Sequence, residues 1–421
     1  MPPFTGFIGP SYQGRALAAD AERSVNFFVE RIESPGGATK SNFVMLSKPG
    51  LELFVDLSVA IESSVNAVRA LAELNGRSFA VAAAGPNSLF FELHANGSAT
   101  QYGANLPGDA RPQLCVGQTQ ILVLLAGNGY IFDQAANTLT RIGDEDFPPG
   151  ATKAAFLDGY FIVLEPNSQT FAISAYKDGT SWDALDFASV EGEPGNTVSL
   201  FQDHRLLWFF GNNHTEVYID SGNADFPFTR YDSGLMEQGT SAIDSVARFD
   251  NALVWLGRNE DGANVVWRTN GFAPQRISTH AVETALSAYD DTSDAMAYTY
   301  QEGGHTFYVM HFPSARNGAG ATWVYDAATG FWHERGWWDA ELGDYRADLA
   351  RCHCYAFGKH LVGDYRSGAI YEQSMDYYTD AGTPIRRVRA APDLANGGKR
   401  MFYSELRLLM EAGVGLDSVS S

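Results

Sequence analysis

The sequence predicts an all-β chain closed into a β-propeller of seven blades, with six as the alternative count, an N-terminal extended arm and a C-terminal β extension. Three observations carry this reading. Glycine is abundant (42 residues) and aromatics make up 13% of the chain, whereas charged residues reach only 19%. Glycine supplies the positive φ of tight turns, and Phe, Tyr and Trp suit a pleated, half-buried surface. Second, a two-strand hairpin unit recurs along the chain at a mean spacing of about 46 residues, the length of a four-stranded antiparallel blade with its connections. Third, a blade cannot bury both faces alone, so radial packing and ring closure remove the sheet edges that repeated hairpins would otherwise expose.

Taken in order, residues 1–60 read as an arm with entry strands. Segment 24–30 suits a strand, 34–37 is turn-rich, and Lys48-Pro49-Gly50 turns the chain between 43–46 and 51–55. Such a segment could reach back over its own scaffold or onto a neighbour. Residues 61–380 hold the repeats. Their hairpins pair 77–83 with 88–93, 120–125 with 130–133, 160–164 with 170–174, 205–210 with 216–219, 252–256 with 264–268, and 306–311 with 322–326. A weaker seventh unit runs through 354–357, 361–364 and 369–372. A sandwich or a solenoid is the alternative architecture. Residues 381–421 form a C-terminal strand region in which 401–410 reads as one long strand; because a lone strand is unstable, it needs a partner, either here or in a second β domain.

Charge and cysteine usage narrow the function. The formal charge of -21 repels a phosphate backbone, which disfavours tight nucleic-acid binding while allowing DNA to slide past an acidic wall. Cys115, Cys352 and Cys354 are too few for a disulfide framework and show no zinc-ligand spacing, so they read as buried and inert. The residues after Met1 show no basic start and no apolar core of a signal peptide, and apolar runs such as 121–126 are too short to span a bilayer, which points to a soluble protein without membrane contact.

No nucleophile elbow, phosphate loop, H-E-x-x-H helix or EF-hand loop is present, and the chain is not expected to be an enzyme. Asp290, Asp291 and Asp294 read as a polar turn rather than a calcium loop. The competing class is a carbohydrate-binding or glycoside-hydrolysing propeller, which would need two carboxylates about 5 to 9 Å apart on inner strands. Asp158, Asp203, Asp250 and Glu302 are its candidates, but their repeated position before a strand marks them as turn residues. Trp182 and the run 330–338 concentrate aromatics and read as large rings wedged between blades, with a sugar-stacking or protein-contact platform as the alternative. Trp337 and Trp338 cannot both face inward from one strand, and the basic group Arg386, Arg387, Arg389, Lys399 and Arg400 suits an acidic neighbour. These seven residues form the candidate partner interface; no catalytic, cofactor or metal residue is assigned.

Several segments resemble, as an ordered set, a known family: Ser24-Val25-Asn26-Phe27-Phe28 with Leu46-Ser47-Lys48-Pro49-Gly50-Leu51, then the stretch 179–188, Thr215-Glu216-Val217-Tyr218, Gly239 with Thr240, and Val324-Tyr325-Asp326 through Trp332. Over about residues 12 to 415 the chain is similar to the packaged-DNA stabilisation proteins, the tail hub or head-to-tail stopper of short-tailed bacteriophages. The resemblance implies a virion tail component made and assembled in the host cytoplasm. It would form a ring of copies, in particular a hexamer, below the portal and its adaptor, close the channel after packaging and hold the needle, fibre or spike proteins. Double-stranded DNA would pass without sequence-specific contact. The resemblance brings no cofactor and no catalytic residue, and family members continue through a further β segment beyond the equivalent of 406–415.

Overall fold

In the computed structural model, residues 6–15, 21–33, 42–223, 225–392, 399–402, 405 and 408–410 are described. Nearly all of the regular structure is antiparallel sheet, arranged in a ring with the first strand of each sheet innermost. The second blade shows why these sequences fold this way. Its strand Gln120–Leu125 is buried along its whole length because both faces of the sheet are covered. Leu122 and Leu124 pack with Phe161 and Val163 of the next blade, while Ile121, Val123 and Leu125 pack with Phe79, Val81 and Phe90 of the one before. Each such side chain contributes roughly 1.5–3 kcal/mol of burial.

Turn chemistry sets the hairpins. Asp158 (φ 52°) with Gly159 (φ 98°), and Asp250 (φ 47°) with Asn251 (φ 60°), make two-residue connections in which both residues have positive φ. This handedness matches strand twist and favours Asn, Asp and Gly. One helix, His280–Ser287, joins the fifth and sixth blades; Thr279 caps it, and Val282 and Leu286 enter the core between those blades.

The expected count of seven blades is corrected to six, the alternative count, by the strand pairing. Continuous chain builds six four-stranded blades, at 67–107, 113–141, 154–189, 197–230, 247–276 and 296–334. The seventh recurring unit makes no blade of its own, since it supplies only Ala350–Ala356, Lys359–Asp364 and Ala369–Ser374. A composite closing sheet forms when Gly50–Asp56 pairs antiparallel with Ala369–Ser374, Asp56 opposite Ala369 and Gly50 opposite Ser374. An unpaired outer edge would otherwise remain on Ala369–Ser374, and a strand from the far end of the chain covers it while fastening the ring.

The N-terminal segment lies back over its own scaffold. Besides Gly50–Asp56, Ala21–Val25 joins the sixth blade, with Val25 parallel to Glu334, and Tyr12–Gln13 lies antiparallel to it. In the C-terminal region, among the described residues, Val388–Ala390 pairs with Ala21–Val25, Arg389 opposite Ser24. The long strand expected at 401–410 falls partly outside the described residues, and the described ones there form no strand.

Candidate functional site

The two chain ends meet along one seam, and three sequence elements make it. Asn26 adopts φ 59°, a left-handed conformation that asparagine tolerates better than most residues. Its buried amide donates to the backbone oxygens of Gly336 and Arg386 (both 2.8 Å), and its Oδ1 accepts from the Gly336 N–H at 3.0 Å. One side chain thus ties residues 26, 336 and 386 together. Lys48 is the second element: its buried Nζ lies 3.1 Å from Asp348 and 2.9 Å from Asp380. Burial works against that charge, but the two carboxylates outweigh it and hold the Lys48 pKa above its ordinary value. Burial also opposes ionisation of Asp348, yet Lys48 and Arg335 keep its pKa below the usual range. Third, Gly50 starts the borrowed strand, where a Cβ would sit 2.5 Å from the Tyr377 oxygen and 2.7 Å from that of Thr379. Only glycine fits that approach.

The seven residues predicted as an interface differ in exposure. Arg389 turns inward: its side chain is 3% exposed and donates to the Phe7 oxygen (2.6 Å), the Pro10 oxygen (2.8 Å) and Glu22 (2.5 Å). Arg387 donates to Ser47 Oγ at 2.8 Å. Arg386 is exposed and lies flat over Trp338, 3.4 Å from the ring centroid. Trp337 and Trp338 are each half-buried, Trp337 under Arg366 at 4.1 Å. Lys399 and Arg400 are exposed. Sequence reasoning missed another feature of the surface. On the long outer strand Asp178–Ser189 of the third blade, Leu185 is 83% and Phe187 51% exposed, whereas Trp182 is buried and donates to the Gly179 oxygen at 2.9 Å. The alternation of Trp182 against Leu185 and Phe187 across Asp183 and Asp186 is the signal that carried it.

At the ring axis, charged residues collect where the innermost strands begin. Arg69 is on Ala67–Leu74 and Arg351 on Ala350–Ala356, each at a register shift between its neighbours. Bulges of this kind re-aim a side chain. Arg111, Lys153, Asp244 and Asp294 lie within three residues before the first strands of the second, third, fifth and sixth blades. Lys153 donates to Asp244 across the ring. Burial disfavours the Asp244 carboxylate, but Lys153 and Arg111 still bring its pKa below the ordinary value. Nothing in the sequence flagged this collar, because its members lie in six separate repeats.

The carboxylates weighed for hydrolysis are each engaged by other groups. Asp158 pairs with Arg205 at 3.3 Å, Asp203 with Arg248 at 2.6 Å, Asp250 with Arg268 at 2.8 Å, and Glu302 accepts from the Met375 N–H at 2.7 Å. They serve turns and sheet-to-sheet contacts. Asp291 caps Ser293 and Asp294 accepts from Ser314. Cys352 and Cys354 are buried, with burial pushing their thiols up to about 12 and about 11, and His353 between them faces the sixth blade, stacked on Tyr298 at 5.6 Å. Among the described residues no group of three or more His, Cys, Asp or Glu could hold a metal ion.

A propeller whose closing sheet borrows a strand from the N-terminal region is the class of protein that this fold defines. The chain belongs to the phage-stabilisation family described as Bacteriophage P22 Gp10, beta-propeller, which matches residues 38–378, about four fifths of its length. Membership sets the chain in a bacteriophage virion and tail context, and the family's name is consistent with a structural, non-enzymatic role. No curated protein matches. Solved structures similar to it include the extracellular domain of BT4673 from B. thetaiotaomicron, 12% identical at a TM-score of 0.48 over 83% of this chain and 46% of that one. The N-terminal domain of Nup159 is 9% identical, TM-score 0.45, over 84% of this chain and 98% of that one. The WD40 domain of Toxoplasma gondii coronin is 8% identical, TM-score 0.41, over 85% and 87%. The chain spans less than half of the first of these, and likenesses at this level carry no weight for function.

Proposed function

We propose that the protein is a structural part of a phage tail machine that assembles as a ring of copies, bridges the portal and adaptor to the distal tail parts, and helps close the DNA channel so that the packaged genome is retained. The family match over residues 38–378 carries this reading. Two features of the chain support it. A net charge of -21 suits a wall that lets a polyanion pass without holding it, and the strands at 21–25, 50–56 and 388–390 are stitched onto the ring, which gives a scaffold that resists fraying there. The exposed part of the predicted interface, Arg386 on Trp338 with Lys399 and Arg400, is the part we assign to a protein neighbour. Arg387 and Arg389 serve the seam.

The test is assembly of particles lacking the protein. They should fill with DNA and then lose it, and purified protein added before loss should restore retention. Particles that keep their genome without it overturn the proposal. Arg386→Glu should fold normally and be depleted from particles, whereas Arg389→Glu should disturb the fold itself.

A further inference from the structure

The collar at the ring axis holds three guanidinium groups, each with one buried donor that the fold leaves unmet. Arg69 Nε, Arg111 Nη1 and Arg351 Nε are each buried and meet no hydrogen-bond acceptor among the described residues. Leaving a buried donor unmet is costly, and a charged one more so. Their positions are consecutive around the ring: the closing sheet, the first blade and the second blade, whose innermost strands touch in that order. Lys153 follows on the third blade, but its charge is already matched by Asp244. Asp294 faces the same region from the sixth blade; its Oδ2 accepts from the Ser314 N–H (2.8 Å) and hydroxyl (2.6 Å), while its Oδ1 is buried and meets no donor among the described residues. Four cations against two carboxylates leave the collar net positive, in a chain whose total is -21.

The Arg351 guanidinium plane is also set for a ligand. Arg351 stacks on the Tyr365 ring at 3.6 Å, which occupies a face of the group and leaves its in-plane N–H donors free. The two bulges aim Arg69 and Arg351 off the regular alternation of their strands. Forked in-plane donors from several arginines match tetrahedral oxyanions, which accept bidentate, charge-assisted hydrogen bonds.

We infer that Arg69, Arg111 and Arg351 form a binding site for a small free oxyanion of the phosphate class at the propeller axis. The strongly acidic remainder of the chain repels a long polyanion while admitting a single small anion, so the site is assigned to the free ion and not to a nucleic-acid backbone. This inference does not depend on the proposed tail function.

The experiment is calorimetric titration of the full chain with inorganic phosphate, at ionic strength held constant with chloride. Saturable one-site binding that sulfate competes for is expected. Arg111→Gln and Arg69→Gln should each weaken it about tenfold or more, whereas Lys359→Gln, which removes a cation paired with Glu372 on the closing sheet, should bind like the parent chain. Arginine variants that bind like the parent overturn the inference. Should a variant not fold, the parent chain decides: phosphate must raise its melting temperature above that in chloride at equal ionic strength. Absence of that rise, or of sulfate competition, also overturns it. A short DNA duplex that binds more tightly than phosphate and is released by Arg111→Gln overturns the assignment to a small free anion.

Discussion

The second blade and the closing sheet do the same job in the ring by opposite means. The second blade comes from one stretch of chain, 113–141, and is held by apolar alternation: Leu122 and Leu124 serve one neighbour, Ile121 and Val123 the other. The closing sheet joins Gly50–Asp56 to strands some 300 residues away, and buried polar groups flank that junction: Lys48 with Asp348 and Asp380, and the Asn26 amide between Gly336 and Arg386. Apolar burial is non-directional and rewards any well-filled contact, whereas a buried charge tolerates only its own partners. Blades can therefore be built from greasy repeats, while the one long-range closure is specified by ions and hydrogen bonds.

That contrast can be broken by measurement. Lys48→Ala leaves two carboxylates facing one another in the interior and should cost the most, about 3–5 kcal/mol in denaturant unfolding. Leu122→Ala should cost about 2–5 kcal/mol through its cavity, with its loss of hydrogen-exchange protection centred on the second and third blades. If Lys48→Ala cost less than about 1 kcal/mol, closure would rest on apolar contacts after all. Asn26→Ala leaves the Gly336 N–H and two carbonyls unmet and should cost about 1–3 kcal/mol, loosening 336–346 and 386–390 together.

The pH response sharpens the comparison further. Burial depresses the His353 pKa to about 3, with His360 3.0 Å away adding to the effect. The unfolded chain takes up a proton that the folded one refuses, so this contribution is complete above the ordinary histidine value near 6.5 and is lost as pH falls from there towards 3. The slope is at most about 1.4 kcal/mol per pH unit for one proton. His305 behaves oppositely: its hydrogen bond to Asp326 raises its pKa, so its contribution is present below about 6.5 and is lost as pH rises through the raised value. His353→Phe should flatten the acid limb of the stability curve between about pH 6 and 4; an unchanged limb removes His353 as its cause. Smallest is Arg386→Ala, which removes an exposed cation from Trp338 and should change stability by about 1 kcal/mol or less.

Much of the blade architecture was legible because it is local. Hairpin spacing, turn residues such as Asp158-Gly159, and alternating apolar faces all act within one repeat, and they identified strands and turns without any long-range information. Asp158 and Asp250 were read correctly as turn residues for the same reason. The interface group was only partly readable: proximity in sequence put Arg386, Arg387 and Arg389 together, but strand alternation and the pairing with Ala21–Val25 turn Arg389 inward and leave Arg386 out.

By itself, then, the sequence determined an all-β ring of repeated hairpins, its acidic surface and its family likeness, since each rests on composition or on order along the chain. Tertiary structure alone decided that six blades are continuous and the last sheet is borrowed, that Lys48 and Asn26 are the fasteners, and that three arginines from separate repeats gather at the axis. Those outcomes depend on residues hundreds of positions apart coming into contact, and no local pattern records which distant edge a strand will cover.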